Sequence, residues 1–314
     1  MNDTIKKILV IKLGALGDFI QALGPMAAIR RHHPDAHITL LTGAAFRDFG
    51  ASCGYFNEIW IDEKPKWHEV KGWMKLGARL RGGNFTRVYD LQNNDRTAFY
   101  FRLLSPGTRP EWVGAVKGAS HRNASRDRSA GHAFDGHVQT LAGAGITGIE
   151  IDRLEWMRGD LSSFDLRPPY ILMVPGSAPD RKEKRWPAQS YAEIAKFYEQ
   201  RGYQSVILGG NAERADKIAE TILKSAPLAL DLTGQTSFTQ IAALARGAAG
   251  AIGNDTGPMH LIAATGCPSL CLFSKSSNPV RHAPKGEYVE TIQSADLSDL
   301  APEKVIGMFK PRDI

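Results

Sequence analysis

Asn254-Asp-Thr-Gly-Pro-Met-His260 sets a turn of small residues directly ahead of a helix. Asn254, Asp255, Thr256 and Gly257 form the turn, and Pro258, Met259 and His260 open the helix. A helix start carries N–H groups without intrahelical partners and a partial positive charge, so small residues there let an anion approach the backbone. Proline suits the first helical turn, where no N–H is needed, and His260 adds a donor. The chemistry that fits is a cradle for a nucleotide diphosphate; a plainer reading has Asp255 or Thr256 simply capping the helix. A second stretch, PGSAPDRKEKRWP at 175–187, holds Arg181, Lys182, Lys184 and Arg185 beside the small residues Gly176 and Ser177. Such a cationic loop suits a diphosphate, although solubilising loops share this composition. Glu213, in LGGNAE, is placed either to accept hydrogen bonds from ribose hydroxyls or to start a helix with an acidic residue.

Nearer the start, a strand ends at Gly14-Ala-Leu-Gly-Asp18. Gly14, Gly17 and Gly24 lack G-x-G-x-x-G spacing, and no acidic residue ends the second strand, which argues against a dinucleotide site. What remains is a carboxylate, Asp18, on a tight turn at a helix start, where it also complements the helix dipole. A sugar hydroxyl is a poor acid, so proton transfer to Asp18 would have to accompany bond formation rather than precede it. His132 and His137 stand five apart, poor geometry for shared ligation on one helix, so no metal site is expected. There is no G-x-S-x-G elbow and no obvious pair of glycosidase carboxylates.

These residues need elements to hold them. In the first half, strands are expected at 8–13, 37–43, 58–62, 87–92 and 111–116, with helices over 17–33 and near 44–51, 66–81, 95–104 and 133–143. Residues 117–128 (KGASHRNASRDR) show no apolar periodicity and read as a basic, mobile loop. The prolines of Asp165-Leu-Arg-Pro-Pro-Tyr170 read as a stiff connector. Beyond it, strands at 170–176, 204–210, 228–234, 250–255 and 268–273 alternate with helices at 188–200, 212–224 and 237–246, and a closing helix is expected over 298–309. Alternation of this kind predicts an α/β protein of two doubly wound parallel domains facing across a cleft.

Length and charge agree. A chain of 314 residues exceeds what one core usually supports. Its 43% hydrophobic and 23% charged content is that of an ordinary soluble globular protein. Cys53, Cys267 and Cys271 offer no metal spacing and read as reduced thiols in a cytoplasmic protein. Lys12 and Asp18 interrupt the first apolar run, so neither a signal peptide nor a membrane span is expected. The net charge is +6, yet residues 64–128 alone hold 14 Lys/Arg against 5 Asp/Glu. That excess suits an acidic partner such as an anionic glycolipid, a membrane surface or a nucleic acid, or else is a solvated face.

Several stretches together resemble glycosyltransferase family 9, the heptosyltransferases of the lipopolysaccharide core. They are IKLGALGDFIQALGP, DLQNNDR at 90–96, KRWPAQSYAEIA at 184–195, LGGNAE at 208–213, DLTGQTSFTQIAALARGA at 231–248 and GNDTGPMHLIAATGCPSLCLF at 253–273. The resemblance implies a GT-B fold of two Rossmann-like domains: 1–165 for the acceptor, 166–297 for the nucleotide-sugar, and a closing helix in 298–314 crossing back onto the first. It implies an inverting enzyme using an ADP-sugar, with no cofactor. The family's catalytic aspartate falls on Asp18, its diphosphate lysine on Lys184, its ribose-binding glutamate on Glu213, and its phosphate turn on Asp255, Thr256, Gly257 and His260. Ser177 joins the donor set, and Arg96, Arg122 and Arg126 are candidates for an acidic acceptor. The expected partners are a nucleotide-sugar and an anionic glycolipid at the cytoplasmic face of the inner membrane, not a nucleic acid. The family's R-x-S-S-x-G-D is KLGALGD here, with Lys12 and no serines, and SKSSNPVRHAP follows Phe273 where the family often has glycine. A nucleotide-sugar epimerase and a non-catalytic anion-binding protein are the alternatives.

Overall fold

The computed structural model describes residues 6–104, 109–178, 180–211, 214 and 216–313. The chain separates into two compact units, Met1–Ile151 and Asp152–Ile314. The first contains strands β1 (Lys7–Ile11), β2 (His37–Thr42), β3 (Glu58–Ile61), β4 (Arg87–Asp90), β5 (Glu111–Gly114) and β6 (His121–Arg122) in the order β3-β2-β1-β4-β5-β6. The second contains β7 (Tyr170–Val174), β8 (Gln204–Ile207), β9 (Leu230–Asp231), β10 (Gly250–Asn254), β11 (Ser269–Ser274) and β12 (Val289–Ser294) in the order β12-β11-β10-β7-β8-β9. Every pairing is parallel. Counted from each unit's own first strand, both sheets have the doubly wound order 3-2-1-4-5-6.

The sequence dictates this layout through its apolar runs. KILVI of β1 is buried at all but its first residue, and YILMV of β7 is buried throughout, the signature of strands covered on both faces. In the first unit Leu9, Ile11, Leu41, Trp73, Val88 and Trp112 form one buried cluster. In the second, Ile171, Met173, Trp186, Tyr191, Ile252 and Leu272 do the same.

Four expectations change. Residues 117–128 are not a loop throughout: His121 and Arg122 pair with Val113 and Gly114 as the edge strand β6, and a single helical turn follows at Asp127–Ala130. Two residues are too few to show periodicity. The strand β12 was not expected, because VETIQS lies at a sheet edge and keeps most of its side chains part-exposed, which makes it polar. The break between units falls at Ile151/Asp152, ahead of the proline connector. Arg246 explains this, since its guanidinium donates to the carbonyls of Met157 (2.8 Å) and Leu154 and so ties the intervening segment to the second unit. Gln204 holds the connector itself, accepting from Arg167 N (2.8 Å) and donating to Asp165 O (3.2 Å).

The closing segment, expected as one helix over 298–309, is divided and contributes to the core of the second unit. It is a short 3-10 turn, Leu297–Asp299, followed by a helix at Pro302–Met308. Val305 and Phe309 belong to the second unit's core. The Phe309 ring meets Tyr198 edge-on at 5.6 Å and lies against Gly250, where an added Cβ would come within 2.6 Å of it. Phe309→Ala should therefore leave a cavity that costs about 3 kcal/mol, measured as a lower midpoint in chemical denaturation. A loss below about 1 kcal/mol would mean that the segment is no part of the core.

Candidate active site

In the second unit β7 and β10 are neighbours, but β7 leads on to β8 on one side and β10 to β11 on the other. Connections departing in opposite directions leave a crevice at the carboxyl ends of the two strands, the place where such folds bind ligands. The cationic loop 175–187 follows β7, and the turn Asp255–Gly257 follows β10. Asn254, fully buried, holds them together. Its Nδ2 donates to Pro175 O (2.7 Å) and Gly176 O (3.2 Å), while its Oδ1 accepts from Trp186 N and from the Tyr191 hydroxyl, each at 3.1 Å. Both ends of the loop are thereby anchored to one amide.

On this frame Lys184 Nζ meets Asp255 Oδ2 at 2.6 Å, and the Ser277 hydroxyl donates to the same oxygen at 2.6 Å. Asp255 is 8% exposed. The next residues enter the helix Gly257–Ala264, whose N-cap, Thr256, makes no side-chain capping bond and whose first turn holds Pro258. The cap residue's own side chain thus leaves the helix start open, which is what an anion seated there requires. Gly253 lets this helix come close, because a Cβ there would lie 2.5 Å from the Met259 sulfur. His260 is buried in the helix's first turn. Ser177 organises the loop: its hydroxyl donates to Arg181 O (2.8 Å) and accepts from Arg185 Nε (3.0 Å), and Arg185 also pairs with Asp216 (2.5 Å). Glu213 lies outside the described residues.

The first unit repeats the device between β1 and β4. Lys12, buried, donates to Leu91 O (3.2 Å), and Leu13 N donates to Gln92 Oε1 (2.9 Å). Asp18 follows in the first turn of the helix Leu16–His32, half-buried, where no side chain caps the helix. Of the three arginines, Arg96 is built into the structure. Its guanidinium sits over Trp73 (5.1 Å) and Trp67 (5.7 Å) and donates to Pro65 O (3.2 Å). Arg122 and Arg126 are exposed, Arg122 on β6 and Arg126 just ahead of the turn Asp127–Ala130. Among the described residues no three His, Cys, Asp or Glu side chains gather so as to hold a metal ion.

Residues 73–305 match the family model for glycosyltransferase family 9 (heptosyltransferase). The chain belongs to that family. It is 25% identical over 298 residues to the lipopolysaccharide core heptosyltransferase OpsX of Haemophilus influenzae, covering 90% of this chain and 83% of that one. Its fold is similar to that of a glycosyl transferase family 9 structure from Veillonella parvula, with a TM-score of 0.81 at 23% identity, covering 98% and 97% of the two chains. It is also similar to E. coli heptosyltransferase WaaC with ADP-2-deoxy-2-fluoro heptose, with a TM-score of 0.75 at 16% identity, covering 96% and 98%. The fold is thus GT-B, and the protein is a glycosyltransferase. The match to the family model begins at Trp73, so Asp18 lies ahead of it.

Residue types alone did not single out Asn254 as the anchor, Ser277 as a partner of Asp255, or Asp90. Asp90 ends β4, buried, and accepts from the amides of Asn93 (2.8 Å) and Gln92 (3.0 Å). Burial pushes its carboxyl up to about 6, opposed by these amides, by Thr97 and by Lys12. Burial likewise holds the Lys12 ammonium below its ordinary value, opposed by Asp18 and Asp90. The native state therefore binds the Asp90 proton more tightly than the unfolded chain does. The resulting stability is complete below about pH 4 and is lost as the pH rises through about 6. Relative to Asp90→Asn, the parent protein should lose on the order of 2 kcal/mol between pH 4 and 7, read from denaturation midpoints across that range. A difference independent of pH would contradict it.

Proposed function

We propose that this glycosyltransferase moves heptose, with inversion, from ADP-heptose to a sugar of the lipopolysaccharide core. The observation that carries this reading is the grouping of Lys184, Asp255 and an uncapped helix start at the crevice between β7 and β10. The second unit is the donor side, with the diphosphate on the Thr256–Gly257 helix start beside Lys184 and His260, and Glu213 on the ribose. Ser177 and Asp255 hold the loop and the lysine in register. The first unit is the acceptor side, and Arg96, Arg122 and Arg126 meet the anionic groups of a glycolipid at the cytoplasmic face of the inner membrane.

Asp18 accepts the proton of an acceptor hydroxyl as that oxygen attacks the anomeric carbon. The bond from that carbon to the β-phosphate oxygen breaks, and ADP departs with the electron pair. The negative charge growing on the diphosphate is met by fixed donors already in place, where electrostatic stabilisation is most effective. Lys184 is held by Asp255, which Ser277 in turn holds by donating to the same oxygen, so little reorganisation is needed when the donor arrives. Two of the relatives named above support the substrate class: one is a lipopolysaccharide core heptosyltransferase, the other is with a fluorinated ADP-heptose.

A general base is worth about 10²–10⁴ in rate. Asp18→Asn should lower kcat by that range and leave ADP affinity nearly unchanged; wild-type turnover would remove Asp18 from the reaction. Lys184→Ala should weaken ADP binding by about 10–100-fold, the worth of one charge-assisted hydrogen bond. Unchanged affinity by calorimetry would remove Lys184 from the donor site.

A further inference from the structure

The helix Val70–Gly82 buries Trp73, Leu76, Gly77 and Leu80 and turns a second apolar set outward. Val70 and Met74 are each 66% exposed, and Trp67, just ahead of the helix, is 63% exposed. Three of the seven exposed large hydrophobic residues among those described thus fall within eight positions. Val70 and Met74, four apart, are neighbours on the helix surface. Trp67 stacks on the buried Trp73, with ring centres 5.2 Å apart and planes within 20°, and meets Phe99 edge-on at 5.8 Å. Arg96 lies over both tryptophan rings. The exposed indole is therefore fixed in place.

Lysines ring this ridge. Lys66, Lys71 and Lys75 are exposed, whereas the Lys64 ammonium donates to Leu13 O at 3.4 Å. Of the nearby acids, Glu63 pairs with Lys75 at 2.9 Å, and Glu69 accepts from the backbone of Lys66 at 2.7 Å. We propose that this face, Trp67, Val70 and Met74 within their lysines, docks the protein on an anionic lipid bilayer. Charge complementarity selects this occupant. A second copy would bring lysines against lysines, and a nucleic acid would leave the apolar ridge without a partner. A bilayer with anionic headgroups satisfies both parts, because indole and aliphatic groups enter the headgroup boundary while lysine stems extend their ammonium groups to the phosphates. The surface goes beyond the proposed transfer and needs neither donor nor acceptor.

The full chain is sedimented with vesicles of phosphatidylcholine alone or of phosphatidylcholine mixed with phosphatidylglycerol. It should pellet with the mixed vesicles, remain in solution with the neutral ones, and be released by salt. A basic residue near an anionic surface is worth about fivefold in partition, so Lys71→Glu with Lys75→Glu should weaken binding by more than about tenfold. Val70→Ser with Met74→Ser should weaken it too, while the thermal stabilisation by ADP stays as in the parent, which shows that the variant is folded. The proposal is overturned if anionic vesicles bind no protein, if parent and both variants bind equally, or if the parent forms a dimer without lipid that Val70→Ser with Met74→Ser abolishes.

Discussion

Two adjacent parallel strands whose connections depart in opposite directions cannot have their carboxyl ends covered by either connection. In the second unit that bare position lies between β7 and β10, and what fills it decides the chemistry. A single buried amide, Asn254, fixes the geometry there by bonding to both segments at once. A polar group in an apolar core is tolerable only when its hydrogen-bonding capacity is used. Asn254 meets that condition by drawing on the loop and on Tyr191, so the loop is held wherever the amide is satisfied. Lys184, two residues before Trp186, consequently arrives beside Asp255 without a bond of its own to the core.

The pairing of Lys184 with Asp255 gives the lysine a defined position and shields it from wandering into solvent. Ser277 shares the same carboxylate oxygen, which divides the acid's accepting capacity between a cation and a hydroxyl. A diphosphate brought to the uncapped helix start meets donors that are already oriented, and this is where a charged leaving group is best stabilised. The first unit uses the same topology with different stitching, a lysine to a carbonyl and a glutamine to an amide, and its helix start carries a carboxylate instead of inviting an anion. One architecture thus presents a helix start free of its own cap bond in one unit and a helix start bearing a carboxylate in the other.

Much of this was legible in the residues. Apolar runs such as ILVI and YILMV declared the buried parallel strands, and GNDTGPMH declared the turn and the helix start. Features without a periodic signature stayed hidden. His121–Arg122 is too short to alternate, and VETIQS at a sheet edge looks like loop. Leu297–Phe309 announces a helix but not the surface that it packs on, which depends on Gly250 and Tyr198 far away in sequence. In the proposed site, the lysine and the turn were named from residue type and family resemblance. The carboxylate partner of that lysine could not be, because the pairing of residues 184 and 255 exists only once β7 and β10 lie side by side. Asp90 was invisible for a related reason, since its raised proton affinity comes from burial between strands.

Hydrogen–deuterium exchange with and without ADP tests the proposed diphosphate seat most directly. The loop 176–186 and the segment 254–262 should gain protection together when ADP binds, because one ligand sits on both. Protection confined to the first unit, or ADP binding that leaves both segments exchanging as before, would contradict the account.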